Sequence, residues 1–409
     1  MESTVNVTKK DIAQVADEST ETISKKAEGR DLSLDLVKGL GILLMLYGHV
    51  RGPFYSFVSL FHMALFFIAS GCLYANKNAE NFKAVWQYSL RKLKHLYLPY
   101  VCYMIAFILL RNIFLDLNVY TDDPAFLEAE GLEEAYQVLF SKYSLTETIT
   151  NVLKALLARA DTQQVGGALW FLITLCELTI LYNFIEYVLE KISKKYTMVL
   201  QTCVAILFLA VGYYCDLTDT SFGGLNKVFS CYILFQLGVL IKRYDIMRFL
   251  QKLWANILTI VLSFLILVFG YNTGKISIVS NQLENPVFFL VMSIAGWCLI
   301  YSIVLLLQRI PHTEPLQRGI AYLSRHSVPI LALQFLSFKL VNALIVLLYD
   351  MEPYMIAAFP VLKESGAWWL LYLIVGIAVP LGLRWLAAQC KTGIVRLFSN
   401  RKGKQKMST

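Results

Sequence analysis

Three ionisable side chains sit in one apolar stretch: Asp35, Lys38 and His49 of DLVKGLGILLMLYGH. Lys38 and His49 are eleven residues apart. In a helix that is close to three turns, so both side chains share one face, roughly 16 Å apart along the axis. Asp35 precedes Lys38 by three residues, near enough to pair with it. A carboxylate, an amine and an imidazole on one face of an apolar span belong in a protein interior or a wet cavity. Imidazole is the group best placed to move a proton or carry a transferred group near neutral pH. A plainer reading also stands, in which Lys38 snorkels to an interface and His49 ends the helix at the other.

Further candidates follow downstream. LFHMALFFIASGCLY brings a second histidine, His62, to the same end of the next span as His49, and Ser70-Gly71 offers a close-packing patch. Arg91, Lys92, Lys94 and His95 cluster ahead of Pro99. Such a cluster suits a phosphorylated ligand, and equally a simple topology signal. Trp170 opens a later span, and Glu177 lies two turns into it, where a carboxylate is costly without a partner. Arg111, Gln236, Gln334 and Lys339 are weaker instances of the same kind. The eight cysteines are scattered without a C-x-x-C pair, so neither a metal site nor a disulfide frame is expected.

The elements that must position these groups are membrane spans. The chain is 57% hydrophobic and only 16% charged, which excludes an ordinary soluble domain. Ten apolar runs are long enough to cross a bilayer, near 32–50, 55–75, 94–115, 167–189, 197–215, 225–241, 254–271, 286–308, 328–349 and 367–388. The fold expected is an all-α polytopic membrane protein with one domain over residues 30–390. A disordered tail, 1–29, precedes it and a basic tail, 391–409, follows. No cleavable signal peptide is expected. Every second loop is basic, which predicts both termini in the cytoplasm. The net charge of +8 then faces the anionic inner leaflet rather than a nucleic acid. The longest connection, 116–166, is acidic and predicted outside, with helical apolar spacing over Leu145–Ala158 that suggests an amphipathic helix lying on the domain.

DLVKGLGILLMLYGH, LFHMALFFIASGCLY, RKLKHLYLPY and ALWFLITLCEL, in that order and spacing, resemble the membrane-bound acyltransferase 3 family. The resemblance covers most of residues 30–190 and, more loosely, the rest. It implies transfer of an acyl group, commonly acetyl, from acyl-CoA to a cell-surface glycan or related hydroxyl acceptor. It also implies a multi-pass protein of a cell membrane, bacterial inner or plasma membrane. In that family a basic residue precedes an essential histidine by eleven positions, as Lys38 precedes His49. The family's R-x-x-R pair falls on Lys92 and His95, two departures from the pattern; shifted by one it would fall on Arg91 and Lys94. LSRHSVPILALQF resembles a family segment that often carries histidine where Gln334 stands.

The resemblance implies Arg91, Lys92, Lys94 and His95 for the donor's phosphates. His49 would serve as base or acyl carrier, Lys38 with Asp35 would orient the donor or steady charge, and His62, Ser70, Trp170 and Glu177 would border an acceptor cavity. No bound cofactor or metal is expected, and the oligomeric state is not legible. A transporter or flippase of a glycan or lipid-linked precursor is the rival, since intramembrane Lys, His and Glu also suit proton-coupled carriers.

Overall fold

The structure is a computed structural model that describes residues 31–129, 141–158 and 163–406, with side chains to 390. The predicted N-terminal tail, 1–29, lies outside the described residues, as do the acidic residues Glu130, Glu133 and Glu134. Helices dominate, and ten segments among the described residues are long and apolar enough to cross a membrane. The first, α1 (Leu32–His49), is started by Asp31, whose carboxylate accepts the Leu34 N–H. A capped start leaves Asp35 in the first turn and His49 in the last, at opposite ends of the span.

The second span is two pieces, α2 (Tyr55–Ser59) and α3 (His62–Cys72). Together they make up the apolar run read near 55–75. The break between them sets His62 at the first turn of α3. The third span starts earlier than expected. Asn81 caps α4 (Phe82–Lys92), a π-helical turn follows at Leu93–Tyr97, and α5 (Leu98–Asp116) completes it. The basic cluster therefore lies on a locally widened helix, a feature frequent at functional sites.

The predicted amphipathic helix is present as α6 (Leu145–Leu156), begun by a reciprocal capping box between Ser144 and Glu147. Those two donors, the Ser144 N–H and hydroxyl, hold the Glu147 carboxyl below its ordinary range. The helix lies along α5. Arg111 Nε and Asn112 Nδ2 donate to the carbonyls of Ser141 and Tyr143 at one end, and the Tyr97 hydroxyl donates to Leu156 O at the other. Its stripe of Leu145, Ile149 and Leu153 is exposed.

The remaining spans are α7 (Trp170–Ile192), α8 (Thr197–Leu217), α9 (Leu225–Arg243), α10 (Leu253–Thr273), α11 (Pro286–Leu307), α13 (Ser327–Leu348) and α14 (Trp368–Lys406). Between α11 and α13 lies α12 (Glu314–Arg325), a short amphipathic helix absent from the sequence reading. It packs on α1 so closely that a Cβ at Gly39 would overlap the Ile320 carbonyl. Gly71 of α3 meets the backbone of Phe235 and Gly238 of α9 in the same way, so the expected close-packing patch is a helix crossing. The main hydrophobic core among the described residues runs through the bundle, with Leu36, Ile42, Met45, Phe67, Phe235, Trp297 and Phe338 fully buried. Outward faces, such as Phe264, Leu265 and Phe269 of α10, are apolar and exposed, as lipid requires.

Candidate active site

The end of α1 opens on a cavity of about 330 Å³. Its walls are mostly apolar: Met45, Met63, Phe171, Leu331, Phe335 and Phe359. Its polar groups are few, and His49, His62 and Trp170 are among them. Three of the candidates read from sequence are thus brought together from three spans. A concave, mostly apolar site with a small number of polar groups is the usual form of a small-molecule site.

The tautomer of His49 is fixed by its neighbour. Gln334 Nε2 donates to Leu331 O at 3.2 Å, which turns Gln334 Oε1 toward His49 Nδ1, 3.0 Å away. An amide oxygen only accepts, so His49 Nδ1 carries a proton, and in the neutral ring Nε2 presents a lone pair. Phe335 packs on the imidazole with ring centroids 4.8 Å apart and limits its rotation. His62 is arranged alike, its Nδ1 against Val58 O at 3.0 Å, where the carbonyl again must accept. The two imidazoles line the same cavity.

At the other end of α1, Lys38 Nζ lies 3.1 Å from Asp35 Oδ1, the pair expected from their spacing. Asp35 is buried and Lys38 partly so. Lys38 is not among the residues lining the His49 cavity; about 16 Å of helix separates the two. The Lys92 ammonium lies 5.1 Å from the Tyr88 ring. Arg91 donates to Asn78 Oδ1 at 3.0 Å. Lys94 and His95 are exposed. Of the four basic residues, Lys92 alone is partly buried.

A second, more polar cavity of about 260 Å³ is lined by Tyr100, Trp170, Thr174, Glu177 and Lys227 among others. Trp170 borders both cavities, and the Lys227 ammonium sits 5.4 Å from its ring. Trp170 is thus a partition between two chambers, beyond the interfacial role its position suggests. Ser70 is partly buried beside the Gly71 crossing and does not line the His49 cavity.

Residues 31–385 match the model of a protein family described as an acyltransferase domain. The chain belongs to the membrane-bound acyltransferase 3 family. Neither a search of curated proteins nor one of solved structures found a match. For this acyltransferase the match spans nearly all the described helices, including α13, which supplies Gln334. No cluster of His, Cys, Asp or Glu able to hold a metal ion occurs among its described residues.

Other buried polar residues of the acyltransferase have structural work. Arg111 donates to Ser141 O and to Gln163 Oε1, and its guanidinium stacks 4.0 Å from the Tyr143 ring. Gln236 accepts from the Tyr182 hydroxyl at 2.6 Å and donates to Thr202 at 2.8 Å. The partnership of Gln334 with His49 was not predicted from sequence. The family segment around Gln334 was the one signal that pointed there. Phe359 and Lys227 carried none, since each reads as an ordinary span or loop residue.

Proposed function

We propose that this acyltransferase takes an acyl group, acetyl in the first instance, from cytoplasmic acyl-CoA to a hydroxyl of an extracytoplasmic glycan or related acceptor. The observation that carries the reading is the His49–Gln334 bond at the head of the apolar cavity. It leaves one imidazole nitrogen unprotonated and aimed by a fixed partner, which is what a base or nucleophile needs.

The basic loops favour a cytoplasmic placement of the Lys38 end and of both termini, with His49 toward the other face. Acyl-CoA phosphates then meet Lys38 and Lys92, with Arg91, Lys94 and His95 at the rim. Lys38 acts on the donor's charged end, since three turns of helix separate it from the thioester. The pantetheine arm runs past Glu177 and Trp170, and the thioester reaches the His49 cavity. The acceptor hydroxyl approaches from the opposite side, near His62. As its oxygen attacks the thioester carbonyl, His49 Nε2 takes the hydroxyl proton. The C–O bond forms, the C–S bond breaks, and the proton returns to the departing CoA thiolate. Attack on the thioester by His49 itself, with the acyl group resting on Nε2, needs the same lone pair and the same orienting bond.

The test is mass spectrometry of surface glycans from cells with and without this protein. An added acyl mass that depends on the protein supports the reading. Identical glycan and surface-metabolite masses would return the weight to a carrier of glycan precursors.

A further inference from the structure

The buried amine of Lys339 is unused by the chemistry above. It is 3% exposed, in the middle of α13, and its partners are backbone carbonyls: Nζ donates to Ala357 O at 2.7 Å and Ala358 O at 2.9 Å. The ring of Phe359 lies 5.9 Å away. One turn on, Asn342 Nδ2 donates to Ile356 O and Ala358 O, both at 2.9 Å. Its Oδ1 accepts from the Tyr372 hydroxyl at 2.6 Å and from Leu362 N at 3.3 Å. Two side chains of one helix thus grip consecutive carbonyls of the segment 356–358. A buried amine is expensive unless its N–H groups are bonded, so the grip and the burial depend on each other.

The gripped segment leads directly into the His49 cavity. Phe359 and Pro360 form part of its wall. The Phe359 ring packs 4.7 Å from Phe335, and Phe335 packs 4.8 Å from His49. Phe335 is one turn before Lys339 on α13, and Gln334 is beside it. Two turns of one helix therefore orient the reacting imidazole, supply the ring beneath it and hold the wall beside that ring.

We propose that Lys339 is a positioning residue that sets the width of the acyl cavity. It touches no substrate. By pinning the carbonyls before Phe359 it holds that ring against Phe335 and caps the space beside His49 Nε2. This rests on the reading of His49 as the reacting group. Released from its clamp, the Phe359 wall moves back and a longer acyl chain fits.

The test compares kcat/KM for butyryl-CoA with that for acetyl-CoA in purified wild type, Lys339→Met, Lys339→Gln and Phe359→Ala. A ratio is independent of the fraction of active enzyme, so general loss of folded protein does not move it. Lys339→Met and Phe359→Ala should each raise the butyryl-to-acetyl ratio about tenfold or more, the scale on which apolar pockets discriminate methylenes. Lys339→Gln keeps a donor and should fall between Met and wild type, and it carries the test if the Met variant does not fold. An unchanged ratio in the Lys339 variants while Phe359→Ala shifts it overturns the assignment. A second readout needs no acyl transfer: with native cysteines replaced, a cysteine at Pro360 should react faster with a soluble maleimide when Lys339 is Met. Equal labelling rates overturn the clamp, whereas absent transfer in the wild type with faster labelling would count against the acyl-transfer reading alone.

Discussion

Gln334→Leu isolates what the orienting bond contributes. Leucine is close to glutamine in size, so the buried position stays filled, and the main loss is the 3.0 Å acceptor for His49 Nδ1–H. A buried donor left without a partner costs about 1–3 kcal/mol. Part of that cost is relieved if the ring turns or changes tautomer, and either movement takes Nε2 off its line. At about 1.4 kcal/mol per decade, kcat should fall roughly 5- to 150-fold. The KM for acyl-CoA should hold, because the donor's charged end binds about 16 Å away at Lys38. Gln334→Glu keeps an acceptor at the same place and should retain more activity than Leu. The assay is initial-rate acyl transfer from acyl-CoA to a soluble hydroxyl acceptor by detergent-purified protein, normalised to monodisperse material. A Leu variant within about twofold of wild type in kcat would refute the orienting role.

Lys38→Arg should keep the donor KM near wild type, since either cation meets a phosphate, while Lys38→Ala should raise it and leave Asp35 buried without its 3.1 Å partner; titration of acyl-CoA against rate checks both. Gly39→Ala should destabilise the bundle by about 1–3 kcal/mol by driving α12 from α1, read as a lower midpoint of thermal unfolding in detergent. The Glu147 carboxyl is held low by Ser144, so its stabilisation of the α6 start is present above the unfolded glutamate value and is lost as pH falls through the lower folded value. Hydrogen exchange over residues 145–156 should therefore quicken on acidification, and Glu147→Gln should abolish that pH dependence.

Much of this was legible in the sequence because it is local. Asp35 and Lys38 are three residues apart on one helix, so their pairing needed only helical geometry. The ten spans follow from run length and hydropathy, and α6 from its apolar spacing. His49 and His62 share a cavity because successive antiparallel spans return to the same level. The partners from afar were not legible. Gln334 meets His49 across 285 residues, and no periodicity encodes that encounter. Lys339 reads as an intramembrane cation in search of a carboxylate, yet its partners are loop carbonyls, which are identical at every residue and so leave no mark in a sequence. The amphipathic α12 was passed over because its register is polar on one face and too short to span, and its fit depends on Gly39 of another helix.

The account stands or falls on His49. Purified wild type and His49→Ala, matched for yield, monodispersity and thermal midpoint, should be given acetyl-CoA labelled in the acetyl group together with isolated surface glycan. The account predicts label in the wild-type glycan and a loss of roughly 10²-fold or more in the variant, the scale expected when the proton acceptor itself is removed. Undiminished labelling by His49→Ala would contradict it.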